Sequence, residues 1–226
     1  MLDSFMSEYR SAEAVNSAML RVYNNMTLAV LTSMVVSYLT SASPTLMTLL
    51  FGTALKWLVI FLPLIMIFGL MFVMDKMTRF QAQVALQAFA AVMGVSFATV
   101  FVVYNLGSII SAFMGAAVLF GTMSVYGYFT RRDLTSVGEF LFVGLIAIVL
   151  ASIVNIFVGS TVLQMVVSAL AIIIFLGLTA YDTQKIREMI SYENDGRLEV
   201  LGALTLYLDF INLFLNLLQL FGGRKD

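Results

Sequence analysis

Two residue types are missing altogether from this chain of 226 residues: it has no cysteine and no histidine. The first absence excludes disulfides and thiolate metal sites. The second excludes imidazole ligands and, with the first, any Ser-His or Cys-His catalytic pair. Proton chemistry near neutral pH then falls to carboxylates, lysines or tyrosines in unusual surroundings. Charge is also scarce. Asp, Glu, Lys and Arg make up 11% of the residues and the formal net charge is −1, which leaves no global basic field for nucleic acid. Proline occurs twice and tryptophan once.

What is abundant is apolar. Hydrophobic residues reach 61%, where soluble domains have roughly half, with about one-quarter charged. The composition is that of an integral membrane protein built as one helical domain in contact with the lipid bilayer. The 15 methionines are flexible filler between helices. No cleavable signal peptide is evident: five charges fall within residues 1–21, ahead of the first apolar run. Leu2, Phe5, Met6 and Tyr9 share one helical face, so this stretch reads either as an interfacial helix or as a polar tail.

A helical span needs roughly 20 apolar residues. Seven runs qualify, at about 22–42, 57–74, 82–104, 107–129, 140–158, 162–181 and 200–221. The chain therefore divides into an N-terminal segment 1–21, a seven-helix domain 22–221 and a short tail 222–226. Runs of this length without a ten-residue alternation argue against a β-barrel. Pro63 should kink the second span and free the carbonyl of Val59. Gly107, Ser111 and Gly115, four residues apart, predict a face on which another helix packs closely.

Basic residues set the orientation. Arg10, Arg21, Lys76, Arg79, Arg131, Arg132, Lys185, Arg187 and Arg197 fall on one side. Only Lys56 lies in the opposite loops, with Arg224 and Lys225 in the tail. The N-terminus is expected in the cytoplasm. A full crossing of the last segment places the C-terminus outside; a re-entrant one returns it. Arg131, Arg132, Asp133, Asp75 and Lys76 read as cytoplasmic anchors, Glu188, Glu193, Asp195 and Glu199 as a solvated loop, and Trp57 as an interface residue.

Against this background Asp209, in LTLYLDFINLFLNLLQL, is the one charge well inside an apolar run. A carboxylate there costs about 2.5–3.5 kcal/mol on insertion scales, so such residues usually face a cavity or a partner. Thr205, Asp209, Asn212, Asn216 and Gln219 follow spacings of 4, 3, 4 and 3, with Gly202 ahead of them, and form one stripe. A single polar stripe on a helix in lipid turns inward, which predicts that the last helix is central. The amides read equally as interhelical hydrogen-bonding groups or as the lining of a pore.

The partner expected for Asp209 is Asp182, in LTAYDTQKIREM. If the sixth helix runs to about 190 and the seventh starts near 198, the two carboxylates lie roughly 12 and 16 Å from the turn, at similar depths. Two adjacent carboxylates repel and so share a proton, which makes a pH sensor without histidine. Unprotonated, they offer oxygens suited to Ca²⁺. The competing reading of Asp182 is an i, i+3 pair with Lys185.

The stretches TAYDTQKI, LYLDFINLFLNLL, YGYFTRRDLTSVG and the closing FGGR resemble the Bax inhibitor-1, or transmembrane Bax inhibitor motif, family in its bacterial inner-membrane branch. The resemblance covers the whole chain in span number and loop placement. It implies a multi-pass inner-membrane protein with seven helices, the last one central between two three-helix brackets. It further implies a pH-sensitive calcium leak, or Ca²⁺/H⁺ exchanger, gated by an aspartate pair at the positions of Asp182 and Asp209. Calcium ions and protons would be its partners. Some bacterial relatives are linked instead to modulation of a membrane protease, which gives the alternative reading of a non-conducting regulator. Family members can carry an acidic residue and a basic cluster around the second span; here Lys76 or Arg79 is the loose counterpart of such a latch. No cofactor and no enzymatic activity are expected. A serine protease would lack its base, a retinal protein would lack a lysine in the last span, and the aspartate contexts differ from those of aspartyl intramembrane proteases.

Overall fold

The computed structural model describes residues 11–223 and 225, apart from the side chains of Met71 and Asp75. Of the described residues 89% are helical and none lies in a strand. Among the described residues eight α-helices follow in order: α1 (Ala12–Ser41), α2 (Pro44–Phe51), α3 (Leu55–Val73), α4 (Arg79–Val103), α5 (Leu106–Phe129), α6 (Thr135–Val158), α7 (Thr161–Tyr192) and α8 (Gly196–Phe221). Leu2, Phe5, Met6 and Tyr9 lie outside the described residues.

Five of these, α4 to α8, are long and apolar enough to cross a bilayer, and α1 with α2 makes a sixth if the bent pair counts as one span. Leu55–Leu70 is a shorter apolar stretch. The structure thus carries five to six candidate spans where the apolar runs predict seven. The reason is local. α1 starts ten residues before the expected span and takes in Asn16, Arg21, Asn24 and Asn25, which dilute its apolar length. At its end the chain bends by 98° into α2, because Ser43 caps the new helix at Leu46 N (3.3 Å) and Pro44 occupies its first turn.

The described residues form two compact units, residues 11–105 with 189–207 and 225, and residues 106–188 with 208–223. In the first unit α1 packs on α4 through small residues. A Cβ on Gly94 would lie 2.6 Å from the Ser33 carbonyl oxygen, so glycine is what lets the backbones approach. Ser33 Oγ donates to the Ala90 carbonyl (2.7 Å) and meets the hydroxyl of the fully buried Tyr207 (2.6 Å). Pro63 lies inside α3, and the Val59 carbonyl accepts a hydrogen bond from Ser96 Oγ on α4 (2.8 Å). The acceptor that the proline frees is thereby satisfied.

In the second unit the buried row of α5 is Ile109, Ala112, Ala116, Phe120, Ser124 and Gly127. This corrects the expected packing stripe. Gly107 and Ser111 are exposed, and a Cβ on Gly115 would make only ordinary contact with Leu217 at 3.8 Å. Spacing alone picked a row of small residues one position away from the face that is buried. The close approach occurs at Gly127, where a Cβ would collide with the Ala180 carbonyl of α7. Phe113 and Phe120 set their rings edge-on to Phe210 of α8, at 5.3 and 5.7 Å between centroids. Gly159, at φ 66, closes α6 and allows the short turn into α7.

Gly127 and Gly121 lie on the same helix and give a controlled comparison. Alanine favours a helix by about 1 kcal/mol over glycine. Gly121→Ala, with nothing within 4 Å of the new methyl, should be neutral or stabilising. Gly127→Ala forces α5 from α7 and should cost about 1–3 kcal/mol. Thermal unfolding in detergent reads both; equal tolerance at the two positions would contradict this packing.

Candidate functional site

α7 and α8 are joined by a short turn. α7 ends at Tyr192 and α8 begins at Gly196, close to the limits of 190 and 198 assumed from the sequence. Asp182 therefore sits about ten residues before the turn and Asp209 about thirteen after the start of α8, at comparable depths. The structure brings them together: the two carboxyls lie within hydrogen-bonding reach of each other. Asp209 is buried, at 5% exposure, and its Oδ2 has no hydrogen-bond partner. Asp182 also feels the charge of Lys185, whose ammonium lies over the Tyr181 ring at 5.6 Å. Lys185 is thus felt by Asp182, while its ammonium rests on the Tyr181 ring.

α5 and the start of α6 fix the turn that carries Asp182. Gly127 admits the Ala180 backbone, and Gly138 leaves room for the Tyr181 ring, which a Cβ would meet at 2.5 Å. Ser124 and Thr183, both buried, hydrogen-bond through their hydroxyls at 3.0 Å. The glycines of YGYFTRRDLTSVG are therefore explained by the residues of TAYDTQKI.

The polar stripe of α8 divides between bonds to its own helix and a bond to a neighbour. Asn212 Nδ2 donates to the Leu208 carbonyl and Asn216 Nδ2 to that of Asn212, both at 2.8 Å; Thr205 Oγ1 donates to Leu201 (3.2 Å). These side chains satisfy themselves on their own helix. Only Gln219 reaches another helix in a described hydrogen bond: its Oε1 accepts from the buried Ser168 Oγ of α7 at 2.6 Å. Nor is the stripe the sole buried face. Leu204, Leu206, Phe210, Ile211, Leu213, Phe214, Leu217 and Leu218 are buried too, and 67% of the apolar stretch of α8 is covered by protein, against 6–28% in the other four single spans.

Glu199 is the residue the sequence reading missed. It was assigned to a solvated loop, yet it is 3% exposed. Both its oxygens accept from Arg21 (2.8 Å from Nε, 2.6 Å from Nη2), and Arg79 Nη2 lies 3.1 Å from Oε2. It ties α1, α4 and α8 together in the first unit. A signal was present: Glu199, Gly202, Thr205 and Asp209 continue one stripe at spacings of 3, 3 and 4. Arg79, the loose counterpart of a latch in the sequence, pairs with Glu199. Lys76 is exposed in a 3-10 turn, Met74–Lys76.

The neighbouring loops are ordinary. Hydrogen bonds from Thr135 hold Asp133 below the usual carboxylate range, and the Arg197 guanidinium does the same for Asp195. Trp57 is exposed and stacks on Phe61. Among the described residues no three Asp or Glu side chains gather into a group able to hold a metal ion. Asp182 and Asp209 supply two carboxylates, well short of the six to eight oxygens that calcium takes.

The family model described as "Inhibitor of apoptosis-promoting Bax1" matches residues 15–226. The chain belongs to the Bax inhibitor family. It is 40% identical over 214 residues to the inner membrane protein YbhL of Escherichia coli K12, covering 92% of both chains. It is 38% identical over 218 residues to the protein RP147 of Rickettsia prowazekii, covering 95% of this chain and 92% of that one. A Borreliella burgdorferi protein is 38% identical over 221 residues, covering 93% of this chain and 94% of the relative. Family membership extends over α1 to α8 and includes both aspartates.

Replacing Glu199 tests its anchoring role. Glu199→Gln leaves two guanidiniums facing each other without a counter-charge. A fully buried pair broken this way loses about 3–5 kcal/mol. Arg21 and Arg79 are 38% and 45% exposed, so a loss of about 2 kcal/mol is expected here. Glu193→Gln, on the exposed turn, should stay within about 0.5 kcal/mol. Denaturation midpoints of the two variants check this.

Proposed function

We propose that the chain is a pH-sensitive calcium leak, or Ca²⁺/H⁺ exchanger, of the bacterial inner membrane, gated by Asp182 and Asp209. The observation that carries the reading is the pair itself: two carboxyls in hydrogen-bonding reach, one of them buried in an apolar helix with an unpartnered oxygen. A hydrogen bond between two carboxyls needs one proton. Its loss leaves two like charges side by side, which repel and part the helices that carry them. The freed oxygens then meet a passing cation. Two carboxylates complete only part of a calcium shell, and incomplete coordination suits passage, because an ion must leave a conducting site as readily as it enters. Calcium is cargo in this reading, no cofactor is involved, and the activity is not enzymatic.

We read the membrane topology as seven crossings, with α1 and α3 added to the five longer helices and the last helix central. α3 has 19 residues, about 28 Å at 1.5 Å per residue, close to the roughly 30 Å of a hydrocarbon core. α8 is an unbroken helix of 26 residues, which favours a full crossing over a re-entrant path. Its high protein coverage supports the central position. The basic loops and the inner-membrane name of the Escherichia coli relative support a cytoplasmic N-terminus in that membrane.

Calcium flux into liposomes holding only the purified protein, measured across a pH series, tests the gate. Wild-type flux should rise as increasing pH strips the shared proton. Asp209→Asn and Asp182→Asn keep the shape but remove one charge, so each should flatten the pH dependence. Two variants with the wild-type profile would make the aspartates structural. A wild type without flux at any pH would replace this reading with that of a protease regulator.

Topology is open to cysteine labelling, since the chain has no native cysteine. A single cysteine at the exposed Asn194 should be protected from an impermeant reagent applied from the periplasmic side and react once the cytoplasmic face is opened. Labelling from the periplasm would reverse the orientation.

A further inference from the structure

The loop between α5 and α6 is fastened to α7 in a way that neither packing nor capping requires. Gln184, two residues after Asp182, bonds it in both directions. Its Nε2 donates to the Arg132 carbonyl at 2.8 Å, and its Oε1 accepts from Leu134 N at 2.9 Å. One side chain thus holds the backbone of residues 132–134 as a neighbouring strand would. One turn further on, Arg187 Nη1 donates to the Tyr128 carbonyl at 2.9 Å, and its guanidinium lies 4.9 Å from the Tyr128 ring centroid. With the Gly127–Ala180, Gly138–Tyr181 and Ser124–Thr183 contacts, the turns on both sides of Asp182 rest on the α5–α6 corner.

These attachments leave one direction open. Residues 180, 181, 183, 184 and 187 of α7 engage the corner, while Asp182 engages α8. Successive helix residues are about 100° apart, so Asp182 and Gln184 lie on nearly opposite sides of α7. The corner fixes the back of the helix and thereby the distance at which the Asp182 carboxyl is presented. Hydrogen bonding between the two carboxyls depends steeply on that distance.

We propose that Gln184 is a positioning residue: by bolting the α5–α6 corner to α7, it sets the Asp182 carboxyl against Asp209. This rests on the gating reading above and adds to it an element outside α7 and α8. When the pair opens, α7 and the corner should move as one body. The charged groups that act on Asp182 are Lys185 on its own helix and Asp209 on α8; Arg187 and the Arg132 backbone are engaged on the corner side of α7. Gln184 is uncharged, so its removal acts on the pair through geometry alone.

The test is a double-mutant cycle read by infrared titration of the buried carboxyl band, in reconstituted full-length protein, with calcium flux followed in parallel. In the wild type, Asp209→Asn should change the titration of Asp182, because the two interact. In a Gln184→Ala background that change should shrink at least about two-fold, as coupling fades when contact is lost. Gln184→Met, uncharged and of similar length, loses both bonds and should lower the coupling as Gln184→Ala does. Thermal unfolding separates this from general damage: a variant that only loosened the fold would lower the melting temperature and leave the coupling intact. Full coupling in folded Gln184→Ala overturns the proposal, and so does a wild type without coupling, which would have no pair to position. Should Gln184→Ala fail to fold, Gln184→Met decides by the same criterion. A wild type that shows coupling but no flux sinks the calcium reading and leaves the positioning role standing.

Discussion

Hydrocarbon offers no hydrogen bonds, and that single constraint organises the polar groups of this chain. Each donor or acceptor placed at membrane depth must find its partner within the protein, and an unmet group costs several kcal/mol. The solutions differ by helix. The Val59 carbonyl released by Pro63 takes the hydroxyl of Ser96. Asn212 and Asn216 turn back onto their own helix. Gln219 receives the hydroxyl of Ser168. Ser33 serves Ala90 and Tyr207 together. Once these are assigned, two buried side-chain atoms remain without a partner among the described residues, Ser37 Oγ and Asp209 Oδ2. The second belongs to a carboxyl, where the deficit is largest.

Close helix approach supplies the frame for these bonds. In lipid, apolar contact between helices gains little over contact with acyl chains, so small residues and tight backbones do the joining. Gly94 does this between α1 and α4, and Gly127 and Gly138 do it around α7. The second and third bear directly on the site, because the backbone they admit belongs to Ala180 and the ring to Tyr181. A glycine that looks like loop punctuation in YGYFTRRDLTSVG is thus a condition for where Asp182 points.

Much of this was legible in the sequence, and the failures share a cause. The helical class, the location of the apolar runs and the meeting of Asp182 with Asp209 at similar depth all follow from one-dimensional quantities: length, hydropathy and rise per residue. So does the freed carbonyl at Val59. The misses concern which face a residue takes. The Gly107–Ser111–Gly115 row has the right residue types on the wrong side of α5, because the buried side is chosen by Ala112, Ala116 and Phe120 against the aromatic side chains of α8. Glu199 was read by its neighbours Glu193 and Asp195, although its periodicity tied it to Asp209. Asn212 and Asn216 carry no sign in the sequence of whether an amide crosses to another helix or folds back. The bend between α1 and α2 leaves no mark on the hydropathy of the 22–42 run, and its consequence for the span count appears only with the helix axis.

The two buried carboxylates of α8 are ten residues apart and are treated in opposite ways. Glu199 is met by two guanidiniums, which stay charged at any accessible pH; its environment is fixed, and its role is to hold three helices. Asp209 is met by no cation in the described structure, only by another carboxyl. A carboxylate with a guanidinium gains from keeping its charge, whereas a carboxyl facing its own kind gains from keeping a proton. The same residue chemistry on one helix therefore yields an anchor at one level and, in the gating reading, a switch at the other. The separation matters to that mechanism: if the arginines sat beside Asp209, proton loss would draw the helices together and could not part them. Arg21 and Arg79 are occupied by Glu199, and the cation felt at the pair is Lys185, which acts on Asp182.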